Sequence, residues 1–333
     1  MNRKSILKNI SGDKIICCPK CHHKLSGNEI LNCKKCSSTY PYIDGVPILI
    51  SENDSTLKVK EIKRQWNKLK NRQDILTNKI FRFINQITPT LYSIGRHKQI
   101  ARKFVNEIKK IKGKIIVLSI GNGTGGIVFE QLKKLDNVTL VETDIFISSG
   151  RQFVSDIHAL PIASKSVDVI LVEGVLEHVI NPDRAVSEIR RALKDRGLLL
   201  CTLPFVLGVH THTADYQRYS RLGLISLLRY FELIECEPVE GAFTALAYQL
   251  SYANIIVATS IFKGKLGEIA FTVAKYFGNY FIFWLKYLDP LMRGNPVSKD
   301  SAINYYYIGK KAKYALTDKR INLLFDGKGI CPK

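Results

Sequence analysis

Acidic side chains are the scarcest resource in this 333-residue chain. Only 29 Asp and Glu stand against 50 Lys and Arg, leaving a formal net charge of +21. The deficit is steepest before residue 115, where 8 acidic residues meet 25 basic ones. This argues against a cation-attracting surface and favours a polyanionic partner: nucleic acid, an anionic membrane surface or a phosphorylated substrate. Solubility alone is the competing explanation. No apolar h-region follows the opening Met-Asn-Arg-Lys, so a secretory leader is not visible and the expected location is cytoplasmic, with a peripheral place at a membrane left open. Internal repeats and aromatic-rich RNA-binding motifs are also missing. Disulfide spacing is absent too. Five of the eight cysteines (Cys17, Cys18, Cys21, Cys33 and Cys36) crowd together, while Cys201, Cys236 and Cys331 are isolated. That distribution suits a metal site in a reducing compartment better than a disulfide framework.

What is present is enough apolar material, 46% of residues, for a sizeable core. The length allows one large domain and a smaller one. Residues 1–51 hold a compact unit rich in Cys, Gly and Pro. Residues 52–112 read as a basic helical linker or cap, with Ile62, Trp66, Leu69, Ile80, Phe83, Ile84 and Ile87 at helical spacing, an interruption at Pro89 and a second helix over about 93–111. From Ile115 strands alternate with helices: strands at 115–119, 138–143, 168–172, 197–203 and 231–238, helices at 125–134 and 182–194. This alternation implies a parallel sheet covered on both faces, within a core domain at 113–240. Residues 241–300 are apolar, aromatic and helical. Residues 301–333 hold a last strand at 302–309 and a basic tail.

Cys18-Pro-Lys-Cys21 and Cys33-Lys-Lys-Cys36 are two Cys-x-x-Cys knuckles separated by eleven residues. Four thiolates at this spacing can close tetrahedrally on Zn²⁺ and leave no open position, so the predicted zinc is structural. A unit this small needs the metal for its folding energy. Cys17 is a spare thiol, and His22 and His23 are expected on the knuckle turn. The following Tyr40-Pro-Tyr-Ile-Asp-Gly-Val-Pro-Ile-Leu-Ile50 resembles the end of zinc ribbons of the tRNA-methyltransferase activator type.

Val117-Leu-Ser-Ile-Gly121-Asn-Gly123-Thr-Gly125 runs from strand into glycine loop. Glycines there permit a sharp turn and close approach to a ligand. The next strand ends at Asp144, where a carboxylate can accept hydrogen bonds from both hydroxyls of a ribose. Downstream come Ser155-Asp156-Ile-His-Ala-Leu-Pro161, Ser166-Val-Asp168-Val-Ile-Leu, Val175-Leu-Glu-His178 and Glu188-Ile-Arg-Arg-Ala-Leu-Lys-Asp-Arg-Gly197. In order and spacing, residues 115–204 resemble class I S-adenosylmethionine-dependent methyltransferases of the type 11 family. The resemblance, which extends to about residue 238, implies an α/β fold: a Rossmann-like class I methyltransferase sheet with helices on both faces. Here it is joined by a small N-terminal zinc ribbon and an apolar helical insertion before the last strand. It implies S-adenosyl-L-methionine as cofactor, with Gly121, Gly123 and Gly125 against its methionine and ribose parts and Asp144 on the ribose hydroxyls. Asp156 with Ile157 would read the adenine, and Glu173 and Gly174 would line the pocket. Ser119 stands where relatives often carry an Asp that supports the methionine end.

The stretch from Phe205 through His210, His212, Asp215 and Arg218 resembles a segment of methyltransferases encoded with surface-polysaccharide enzymes. It follows the fifth strand at the carboxyl edge, where open α/β sheets bind ligands. His210 or His212 could take a proton from an acceptor oxygen, with Asp215 and Arg218 orienting it. Asp215 and Arg218 could equally form a structural ion pair, and His178 could be a structural contact. Residues 269–288 approach the length of a membrane span, but their lysines and aromatics favour a helix lying in the interface, a buried subdomain or a dimer contact. The leading functional expectation is methyl transfer to a small-molecule or glycan-type acceptor. The alternatives are an RNA methyltransferase using the basic ribbon, and a non-catalytic adaptor with a degenerate core.

Overall fold

The computed structural model describes residues 15–53, 55, 57–72, 88–121, 126–147, 152–209 and 214–324. The calls on Gly123, Gly125, His210, His212 and Cys331, and on the helical pattern at 80–87, lie outside these residues.

The parallel core runs through β5 (Ile115–Ile120), β6 (Val138–Asp144), β7 (Phe153–Ser155), β8 (Val167–Glu173) and β9 (Leu193–Pro204). Two further strands, β10 (Phe231–Gly241) and β11 (Ala302–Lys311), finish it, with β11 inserted antiparallel between β9 and β10. The spatial order is β7-β6-β5-β8-β9-β11-β10. Because successive strand residues face opposite sides, the core strands are apolar almost throughout and each face is covered separately. Val117, Val169, Leu171 and Leu200 pack under Phe104 and Ile108 of α2 (Ile94–Ile108) and under Leu132 of α3 (Ile127–Leu132). Leu118, Ile170, Val172 and Leu199 pack under Ala185 and Ile189 of α4 (Pro182–Ala192) and Leu224 of α5 (Arg221–Leu227). This is the Rossmann-like sheet that the alternation implied.

The ribbon is not a free appendage. Its strands β1 (Leu25–Ser26), β2 (Ile30–Cys33), β3 (Thr39–Ile43) and β4 (Val46–Leu49) form an antiparallel meander. The last of them pairs in parallel with β7, Ile48 opposite Val154 and Leu49 opposite Ser155. The ladder continues in Cys17 N–H to Pro161 O at 2.9 Å and Ala163 N–H to Ile15 O at 2.7 Å. One continuous sheet of 11 strands results. Over the seam lies α1 (Val59–Arg72), whose Ile62 is buried among Val46, Ile48, Ile147 and Val154. The indole of its Trp66 donates to Asp44 at 2.6 Å. Neither β7 nor this pairing was expected. Three residues are too few to show a period, and pairing between distant segments leaves no local trace.

After β10 the chain leaves the sheet as a hairpin of α6 (Ala242–Ile261) and α7 (Gly264–Ile282), then returns through a 3₁₀ turn at Phe283–Tyr287 and the short α8 (Asp289–Met292). The break at Phe262–Lys263 was not foreseen. Gly264 there has φ of +57°, a left-handed conformation that glycine adopts without strain. Asp289 closes the hairpin at its root. Its carboxylate accepts from the amides of Gly241, Phe243 and Thr244 at 2.9–3.2 Å and from the Thr244 hydroxyl at 2.6 Å. The first turn of α6 is therefore capped from a point remote in sequence. The last helix, α9 (Asp318–Asn322), packs near α5.

Candidate functional site

Two centres emerge, at the ribbon and at the carboxyl edge of the sheet. In the ribbon the Sγ atoms of Cys18, Cys21, Cys33 and Cys36 all lie within 4.8 Å of one another. Cys18 and Cys36 are 3.5 Å apart, and Cys21 and Cys33 are 3.4 Å apart. Tetrahedral ligands at about 2.3 Å from zinc would be separated by about 3.8 Å, so the quartet fits that ion. The Tyr40 hydroxyl sits 3.0 Å from Cys18 Sγ. Hydrogen bonds from the Ser38 hydroxyl and amide bring the Cys36 thiol down to about 6, while burial pushes Cys18 and Cys21 up. Cys17 stays outside the quartet, and burial pushes its thiol up to about 12.

At the sheet edge, β5 runs into Gly121 at φ +66°, where an added Cβ would come within 2.4 Å of Val175 Cγ2. Glycine is required by both conformation and space. Asp144 ends β6 half-buried. Its Oδ1 accepts from the Ile145 amide at 2.7 Å and from the Phe146 amide, which holds the carboxylate at the edge. Gly174, also left-handed at φ +67°, ends β8. Two buried polar atoms here lack any partner, Ser119 Oγ and Glu173 Oε2. Ser119 is in register with Leu171, so Glu173 lies two residues farther along the adjacent strand and on the same side. A sealed, unpaired carboxylate oxygen is costly unless a ligand completes it. Burial pushes Glu173 up to about 7, against the opposing pull of His97.

Asp156 is held by its neighbours. Its Oδ1 accepts from His158 N at 2.9 Å and pairs with His158 Nδ1 at 2.7 Å, while Oδ2 takes the Ser55 hydroxyl. These contacts fix the carboxylate and shape the turn that carries the buried Ile157. Asp215 is likewise committed. It forms a bidentate ion pair with Arg218, with the second contact at 2.7 Å. Arg218 also donates to Leu207 O at 2.8 Å and Gly208 O at 3.2 Å, fixing the loop after β9. The ion pair is therefore present, on the loop expected to face the substrate. His178 bonds through Nδ1 to Ala214 O at 2.8 Å, a structural contact on the same loop. Beside it, burial raises Glu177 to about 7.

A third group was not expected. His97, on α2, lies 2.6 Å through Nε2 from Oε1 of the buried Glu240 at the end of β10. The hydrogen bond and charge of Glu240 outweigh burial and raise the imidazole above its usual value. His97 and Glu173 together line a small void of about 20 Å³ with Ile127, Thr202 and Val239, roomy enough for one water. Sequence signalled neither residue. His97 is one histidine in the basic run Arg96-His97-Lys98, and Glu240 follows a strand with no motif around it.

Residues 118–201 match the family model for the methyltransferase domain. This stretch is thus similar to a methyltransferase domain. Among solved structures, the chain is similar to Haemonchus contortus phosphoethanolamine N-methyltransferase 2 in complex with S-adenosyl-L-methionine. Identity there is 15%, over 65% of this chain and 53% of that one, with a TM-score of 0.41. The chain thus spans about half the length of that neighbour. It is also similar to a chain from the complex between the Haloferax volcanii Trm112 methyltransferase activator and a methyltransferase. Identity is 15%, over 67% of this chain and 92% of that one, with a TM-score of 0.41. No curated protein matches.

Two outcomes follow for these centres. Purified protein should carry about one zinc per chain by plasma mass spectrometry, and Cys33→Ser should abolish that occupancy and lower the melting temperature. Full-length protein that is metal-free yet equally stable would contradict the assignment. The second outcome concerns pH. The folded value of Glu173 lies above the ordinary 4.5, so the folded state holds the proton more tightly. Its stabilising share is complete at low pH and is lost as pH rises through about 7. Without ligand, Glu173→Gln should flatten the decline of the urea midpoint between those pH values. Glu177, pushed the same way by burial, accounts for the slope that remains.

Proposed function

We propose that the chain is an S-adenosylmethionine-dependent methyltransferase acting on a small-molecule or glycan-type acceptor. The observation that carries this reading is the convergence, at one sheet edge, of the obligate-glycine turn at Gly121, the Asp144 carboxylate and the unpartnered Ser119 Oγ and Glu173 Oε2. These groups fit the donor. Asp144 would accept from the ribose hydroxyls, Gly121 would let the backbone approach the adenosyl group, and Ser119 and Glu173 would face the amino-acid end. The donor, when bound, supplies a methyl group on a positively charged sulfur. In-line displacement needs alignment and exclusion of water more than a strong catalyst. The chain contributes a rigid floor, the loop pinned by Arg218, and His97 with Glu240 as the pair suited to hold a released proton. Asp215 acts as a positioning residue through Arg218. Zinc in the Cys18, Cys21, Cys33, Cys36 quartet has a structural role and takes no part in the transfer.

The hairpin supports a peripheral place at an anionic membrane. α7 has no buried residue, and Leu266, Ile269, Phe277, Phe281 and Trp284 are exposed. Its charges are Lys265, Glu268 and Lys275, with Lys263 just before it. No helix among the described residues is long and apolar enough to cross a membrane. The geometry therefore suits an interfacial lie with lysines toward anionic headgroups. A second reading, RNA methylation, draws on the exposed basic residues Lys98, Arg102, Lys109, Lys112 and Lys114 on and after α2. Salt-dependent retention of RNA on a filter would promote it.

Asp144→Ala should weaken S-adenosylmethionine binding by about tenfold or more in calorimetry, with the circular dichroism spectrum unchanged. Wild-type protein that binds no donor would favour the adaptor reading instead. In flotation, the protein should rise with phosphatidylglycerol-containing vesicles at low salt, and less with pure phosphatidylcholine. Protein left wholly at the bottom in both cases, and dimeric by light scattering, would place a second copy on the hairpin.

A further inference from the structure

A cavity of about 370 Å³ opens at the root of the hairpin, between the start of α2, the end of β10 and the segment from Lys286 to Ser301. Four cations and three carboxylates line it. All three carboxylates are already spent. Glu237 pairs with Lys299 at 3.3 Å, Glu240 holds His97, and Asp289 caps α6. Arg96, Lys286 and Arg293 are left with no carboxylate in salt-bridge reach among the described residues. Two of them are held in place by neutral groups. Arg96 donates to Pro238 O at 3.0 and 3.3 Å and lies over the Tyr306 ring at 5.4 Å, and Lys286 donates to Thr90 O at 2.6 Å. Arg293 makes no side-chain hydrogen bond among the described residues, and burial with the charge of Arg96 lowers its pKa against the pull of Asp289. Cations outnumber carboxylates around this partly desolvated hollow, which favours an anion there. The same hollow is walled by Val239, Phe243, Met292 and Val297, at the foot of the exposed apolar hairpin.

We propose that this cavity binds the phosphate group of an amphiphilic ligand, with Arg96, Lys286 and Arg293 on the phosphate and the apolar wall on the adjoining chain. Three cations match a phosphate ester better than a single carboxylate, and guanidinium groups suit its paired oxygens. Glu240 is shared between this cavity and the contact with His97, whose other neighbour is Glu173 at the carboxyl end of β8. The ligand would thus be anchored beside the transfer site, which makes a phosphorylated amphiphile the acceptor class. That last step rests on the methyltransferase reading, whereas phosphate binding does not.

Calorimetry on the full chain with inorganic phosphate and with dihexanoyl phosphatidic acid tests the site, and S-adenosylmethionine binding is measured on the same samples. Wild-type protein should bind the phosphatidic acid, and Arg293→Ala and Lys286→Ala should each weaken it at least about fivefold while donor affinity stays unchanged. Phosphatidic acid at least about tenfold tighter than phosphate supports a lipid source, and equal affinities support a soluble phosphate ester. No binding of either probe, or binding that both variants leave intact, overturns the proposal. Phosphate binding without donor binding leaves this site standing and removes the methyltransferase reading.

Discussion

The parallel pairing of β4 with β7 is the contact on which both halves of the molecule depend. It is short, Ile48 with Val154 and Leu49 with Ser155, yet it joins the cysteine-bearing meander to the sheet that carries the candidate site. A ribbon of this size buries too little to stand alone, and here it gains a second source of order from the edge it covers. The larger sheet gains as well. Ser155 leads directly into Asp156, and the hydroxyl that engages Asp156 comes from Ser55, just beyond the ribbon. The turn at Asp156 is therefore held partly by the segment that follows the ribbon.

The sheet edge shows how a carboxyl end becomes a site. Parallel strands deliver their last residues to one rim, and the turns that follow must bend sharply there. Gly121 and Gly174 do so with positive φ, which leaves room for a ligand where side chains would otherwise stand. The unsatisfied atoms on this rim, Ser119 Oγ and Glu173 Oε2, have no explanation within the protein's own packing. By contrast, Asp215 and the carbonyls of Leu207 and Gly208 on the loop after β9 are engaged by Arg218.

Much of this was legible in the sequence because it is local. The alternation of strand and helix from Ile115, the four knuckle cysteines, and the glycine followed by an acid one strand later all depend on residues near one another in the chain. The strand boundaries expected at 115–119, 138–143 and 302–309 fall within a few residues of β5, β6 and β11. What escaped depends on distant segments meeting. The β4–β7 seam, the His97–Glu240 contact and the capping of α6 by Asp289 each join elements tens of residues apart through one or two groups, with no periodic signature. The contact between Asp156 and Ser55 escaped for the same reason, because the serine lies on another segment.

The two margins of the extended sheet carry one more meaning. A sheet ending in a long bare strand would offer its open amides to any neighbouring chain. On one side the last strand is β1, only two residues long. On the other, β10 is lined with Glu232, Glu235 and Glu237, contains Pro238, and slips register at several points against β11. Among the described residues, a stub at one end and a charged, irregular ribbon at the other offer a poor template on which a second molecule could stack, so the sheet edges of this basic protein with an apolar arm are guarded against fibrous self-association.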